Sequence, residues 1–182
     1  MTAFPVYTLE SAPERSKPAL QQLQSAFGMI PNIAGAMATS PVLINSLVGL
    51  FKNVHSGSFT EAQVQTVLLT DAATNACTWA VAFHTALALK EGIDPKDVEA
   101  IREHRLPKDA KLAALSALAR TMLEKRGRLD DQDIDRFIAA GFGKDHALEV
   151  IGIVAASTIT NYTGSITKTP LEAPFQAHAW TA

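Results

Sequence analysis

Cysteine is almost absent: Cys77 is the only one in 182 residues, so no disulfide can form within one chain. Charge is sparse as well, with 19% Asp, Glu, Lys and Arg and a net charge of −2. That balance leaves no electrostatic footprint for nucleic acid or for an acidic membrane surface, and neither is expected as a partner. Apolar runs such as Val150–Ala156 fall far short of the ~20 residues that span a bilayer. Met1-Thr2-Ala3-Phe4-Pro5 lacks the basic start and continuous apolar stretch of a secretory signal, and a reducing, cytoplasmic setting is expected. His55, His104, His146 and His178 are scattered without the spacing of metal ligands, so no metal is expected. Gly141-Phe142-Gly143 lacks the strand that a phosphate loop requires, and no flavin or nicotinamide cofactor is indicated. Alternation with period two is missing throughout, which excludes strands as the main element.

What remains is helical. The chain is 47% hydrophobic, and much of that is alanine and leucine, both strong helix formers. The length suits one domain over 1–182, with an arm over 1–15, a core over 16–166 and an extended or looped tail over 167–182. Ser16-Lys17-Pro18 predicts an N-cap with proline just inside a helix that ends near Gly28. Ser40-Pro41 opens another, carrying Leu43, Leu47, Leu50, Phe51 and Val54 at helical spacing. Thr60-Glu61-Ala62-Gln63 is a capping box for a helix ending near Thr74-Asn75. Asn75 is placed to cap the next, which runs to about Glu91-Gly92. Asp94-Pro95, the segment after Pro107, Asp130 and a hydrophobic stretch from about Asp145 to Tyr162 supply the rest. The expectation is an all-α bundle of about eight helices. Gly57-Ser58-Phe59-Thr60 with Val64 is echoed 70 residues later by Gly127-Arg128-Leu129-Asp130 with Ile134. Punctuation common to helix joints explains the echo, and so does duplication of a helical unit.

The chemistry is concentrated between Thr74 and Thr85. Cys77 and His84 are seven residues apart, two helical turns, so they share an azimuth and lie ~10 Å apart along the axis. They could flank one pocket, with Ala80 between them on the same side. If Asn75 caps this helix, Cys77 sits in its first turn, where free amides and the dipole favour a thiolate. The plainer alternative is a small buried hydrophobe for Cys77 and a hydrogen-bonded core histidine for His84.

This segment resembles the alkylhydroperoxidase D (AhpD-like) and carboxymuconolactone decarboxylase family, whose motif is a glutamate followed by Cys-x-aromatic-Cys-x-x-x-His. Gln65 falls at the glutamate, twelve residues before Cys77, with Trp79 at the aromatic, Ala80 at the second cysteine and His84 at the histidine. Phe27-Gly28-Met29-Ile30-Pro31-Asn32, Ser40-Pro41-Val42-Leu43, Thr160-Asn161-Tyr162 and Thr169-Pro170-Leu171 also resemble the family's peroxidase-related subgroup.

The resemblance implies an AhpD-like bundle, a homo-oligomer (trimer or hexamer) and a peroxide-reducing thiol site. Cys77, His84 and Gln65 would be its working residues, and Trp79, Ala80 and Phe83 its pocket. With Ala80 in place of a cysteine, the dithiol cycle cannot close within one chain. With Gln65 in place of glutamate, the base is missing. The implied activity is a weak or altered peroxidase that uses an external thiol reductant. The alternative is a non-catalytic or non-redox, lactone decarboxylase-like member that binds a hydrophobic ligand.

Overall fold

In the computed structural model, which describes residues 4–182, nine α-helices and no strand occur among the described residues. They are α1 Lys17–Phe27, α2 Asn32–Met37, α3 Pro41–Val54, α4 Glu61–Thr74, α5 Thr78–Lys90, α6 Pro95–Arg102, α7 Ala110–Glu124, α8 Asp131–Ala139 and α9 Lys144–Thr167. The chain is all-α, as its spacing predicts.

Side-chain caps set many of the starts. Ser40 accepts from the Leu43 amide, Asp94 from Lys96 and Asp109 from Lys111 and Leu112. Thr60 with Gln63, and Asp130 with Asp133, close two capping boxes. Phe59 precedes the first box and Leu129 the second, and both pack on the same core cluster. Each residue is the outer half of a hydrophobic staple whose inner half is Val64 or Ile134. The 70-residue echo is therefore this joint used twice.

Helices α4 and α5 form the centre. Every residue from Val64 to Ala73 is buried, as is every residue from Trp79 to Thr85. Neighbours cover both helices on all sides, and α4 buries Gln65, Thr66, Thr70 and Asp71 among its apolar residues. One core cluster joins α1–α6 and reaches α9 at Ala156, and the other packs α4 against α7, α8 and α9. No helix is long and apolar enough to cross a membrane.

Four boundaries differ from expectation. Ser16 does not cap α1: its backbone is already helical, and its buried hydroxyl donates to the Ala38 carbonyl at 2.9 Å. Asn75 caps the C-terminus of α4 rather than the N-terminus of α5. Helix α9 runs five residues beyond Tyr162, to Thr167. The tail is docked rather than loose, with a 3-10 helix over Ala173–His178 lying on α5. Buried Glu172 accepts from the Asn32 amide at 2.6 Å and from Trp79 Nε1 at 2.9 Å. Arg102 donates to Thr85 Oγ1 at 3.0 Å and to the His178 carbonyl at 3.1 Å. These tertiary partners have no local sequence signature.

Candidate functional site

The joint between α4 and α5 decides where the cysteine goes. Ala76 is left-handed at φ 52°, and the Cys77 and Ala76 amides bond back to the carbonyls of Ala72 and Ala73, each at 3.0 Å. This is a Schellman closure of α4. It leaves Cys77 as the N-cap of α5, one residue outside the first turn that the sequence suggested. The thiol is 2% exposed and packs against α9, where a Cβ added at Gly164 would lie 2.9 Å from Sγ. Glycine is what lets α9 come this near. Burial pushes the Cys77 thiol pKa up, while the amides of Ala80 and Trp79 pull it down and lose. The expected lowering of this pKa is thus reversed, because desolvation outweighs the helix terminus. Cys77 lines a cavity of about 250 Å³ together with Thr78, Trp79, Ser165 and Lys168.

His84 opens elsewhere. It lines a second cavity, of about 360 Å³, whose walls are largely Phe27, Phe51, Leu68, Phe83 and Leu87. The His84 ring is 3% exposed, and its pKa is pushed down to about 3, mainly by burial, with His55 adding to the shift and Glu61 opposing it. It is therefore neutral at physiological pH. Nδ1 of His84 lies 2.9 Å from Gln65 Oε1. Gln65 Nε2 donates to Glu61 Oε1 at 2.9 Å, and Glu61 Oε2 meets His55 Nδ1 at 2.9 Å. Four side chains thus form one hydrogen-bonded row along the second cavity. The His55 contact holds the Glu61 carboxyl below its usual range despite partial burial.

The predicted residues are thereby divided. Gln65, Phe83 and His84 share the larger cavity, and Cys77 and Trp79 share the smaller. Ala80 is fully buried and lines neither of these two. The single pocket flanked by Cys77 and His84 is not what these two cavities form. The aromatic row still links their edges: Trp79 stacks on Phe83 at 4.8 Å, and Phe83 meets Phe27 edge-on at 5.5 Å.

No protein-family profile matches the chain, and no curated protein matches its sequence. Solved structures do match. An uncharacterized peroxidase-related protein from Ralstonia eutropha JMP134, described as an alkylhydroperoxidase AhpD core, superposes with TM-score 0.83 at 16% identity, covering 94% of this chain and 93% of that one. The chain has the AhpD-like fold. An uncharacterized peroxidase-related protein from Silicibacter sp. TM1040 matches at TM-score 0.80 and 17% identity, over 97% of this chain and 96% of that one. A variant of the debrominase Bmp8, in complex with 2,3,4-tribromopyrrole, matches at TM-score 0.81 and 18% identity, over 98% and 96%.

Within this AhpD-like fold, several residues that the motif did not single out complete the site. Glu61 was visible as a carboxylate one helical turn before Gln65, a spacing at which side chains meet. His55 belongs to α3's C-terminal cap, and only the turn between α3 and α4 brings it to Glu61. Lys52 and Lys90 line the larger cavity, and among the described residues neither is ion-paired. An arginine also reaches α5, where Arg102 donates to Thr85 and to the tail. The Phe27-to-Asn32 turn serves the site from both ends, since Phe27 walls the cavity and Asn32 holds the tail at Pro170 and Glu172.

Proposed function

We propose that this chain is a member of the AhpD-like and carboxymuconolactone decarboxylase family whose working site is the His84 cavity. There a neutral histidine meets a small, largely apolar molecule by hydrogen bonding. The observation that carries this reading is the row His84–Gln65–Glu61–His55, which lines an aromatic cavity that Cys77 does not line. A buried imidazole whose cation is disfavoured stays neutral and is suited to make hydrogen bonds to a ligand through its free ring nitrogen. The 2,3,4-tribromopyrrole held by the similarly folded Bmp8 is a reasonable first probe, being small, apolar and hydrogen-bonding. Its binding is read from Trp79, which stacks on the cavity residue Phe83, in a Trp180→Phe background. Saturable quenching that is lost in His84→Ala supports the reading, and equal quenching in His84→Ala counts against it.

A second reading is a slow thiol peroxidase, favoured by one observation: Cys77 lines a cavity of its own that includes Lys168. In it the thiolate attacks the peroxide, the O–O bond breaks, an alcohol or water leaves, and Cys77 becomes a sulfenic acid. Two external thiols then return the thiol and release water, because no second cysteine exists to resolve it. Given the raised thiol pKa, adduct formation with a dimedone probe after hydrogen peroxide should be slow at neutral pH and accelerate in alkali. Rapid labelling at pH 7, abolished in Cys77→Ser, would place peroxidase activity first. A reducing, cytoplasmic setting and a trimeric or hexameric assembly belong to both readings.

A further inference from the structure

The orientation of one amide decides which nitrogen of His84 is free. An ionised carboxylate only accepts hydrogen bonds, so the 2.9 Å contact with Glu61 requires Gln65 to donate through Nε2. The amide oxygen of Gln65 then faces His84 at 2.9 Å, and it too can only accept. Nδ1 of His84 must therefore carry the proton, which leaves the lone pair of the neutral ring on Nε2. Glu61 is itself held in place: His55 meets its second oxygen at 2.9 Å and stacks on Phe51 at 5.4 Å.

We propose that Glu61, held by His55, is a positioning residue that sets the His84 tautomer through Gln65, so that the cavity selects small aromatic molecules donating an N–H or O–H over molecules of the same shape that only accept. The proposal rests on the reading of this cavity as the working site and adds its ligand class. A donor forms a hydrogen bond with the buried Nε2, whereas a molecule that only accepts leaves Nε2 unpaired, the costly arrangement. Lys52, Lys90, Glu61 and Glu91 line the same cavity, so charge of both signs borders it while His84 stays neutral. The carboxylate that the family motif places at position 65 has, in effect, an acceptor-only counterpart one helical turn earlier, with Gln65 as the link.

Two measurements test this separately. The first is the tautomer of His84 in the free protein, from long-range proton–nitrogen NMR correlations. The unprotonated ring nitrogen should be Nε2 in the wild type. In Glu61→Leu the Gln65 amide loses its orienting acceptor, and both tautomers should become populated. Adding Gln65→Glu to that variant should restore the wild-type tautomer, because a carboxylate at 65 accepts from Nδ1–H directly. A protonated Nε2 in the wild type, or a tautomer indifferent to Glu61→Leu, overturns the proposal even if molecules bind. The second is calorimetric binding of phenol against anisole, a pair matched in shape but differing in the donor. Phenol should bind roughly tenfold more tightly, and the preference should shrink to about threefold or less in Glu61→Leu. Equal binding of the two by the wild type overturns the selectivity. Failure of both to bind, with the tautomer as stated, counts instead against the cavity as the working site.

Discussion

Two buried ionisable side chains pull stability in opposite directions as pH changes. His84 titrates near 3 in the native chain, against an ordinary 6.5, mainly because burial disfavours its cation. Below pH 6.5 the unfolded chain takes up a proton that the native chain refuses, so His84 costs stability as pH falls from 6.5 toward 3. Asp71 is fully buried in α4, and neither of its carboxyl oxygens completes a hydrogen bond, although Ser157 is its polar neighbour. Burial raises its pKa well above 3.8, which makes the unfolded chain the first to ionise. Its cost grows as pH rises from about 4. The two effects oppose each other between about pH 4 and 6.5. Relative to the wild type, urea-unfolding free energy across this interval should tilt downward with rising pH in His84→Gln and upward in Asp71→Asn. Parallel lines for all three proteins would refute these burial assignments. Cys77, Gln65 and His84 were all legible as a motif. Their division between two cavities was not, because a shared azimuth says nothing about which neighbouring helices wall each residue.

Among the helices, the joint that places Cys77 carries an avoidable strain. A residue with a Cβ in the left-handed region costs about 1 kcal/mol or more, which is why glycine usually fills this position. Helix α5 follows the rule, closing through Gly92 at φ 82°, but α4 closes through Ala76, α6 through His104 and α7 through Arg126. Ala76→Gly should therefore stabilise the protein by about 0.5–1 kcal/mol, the left-handed strain removed less the added freedom of the unfolded chain. A raised urea midpoint with an unchanged m-value is the expected result, and a lowered midpoint would show that the Ala76 methyl packs usefully beside Cys77. The α4–α5 boundary was predicted within a residue from Asn75, yet its chemistry came out reversed. An asparagine can end one helix or begin the next, and which it does depends on the residue after it turning left-handed.

At the scale of the whole molecule, α9 is the least finished surface. No charged residue occurs from Val150 to Thr167, yet Leu148, Ile151, Tyr162 and Ile166 are 50–68% exposed, spaced along one side of the helix. Apolar side chains repeated in this way on a 24-residue helix form the kind of continuous patch that marks an interface. A second copy of the chain is its proposed cover, consistent with the homo-oligomer implied by the family resemblance. Light scattering at micromolar concentration should give a multiple of the monomer mass. Ile151→Glu with Tyr162→Glu should reduce it to the monomer while preserving the helical circular dichroism. A monomeric wild type would exclude this assembly.

Helix content, the Thr60 capping box, the Asp130 cap and the frame of Cys77, Gln65 and His84 were all determined by the sequence alone. They rest on interactions within a few residues, where periodicity and cap chemistry act directly. The tertiary structure decided everything that depends on distant segments meeting. It brought Gly164 of α9 onto Cys77, His55 onto Glu61 and Glu172 onto Trp79. The raised thiol and the neutral imidazole follow from the same packing, since desolvation depends on what encloses a group and not on its neighbours in the chain.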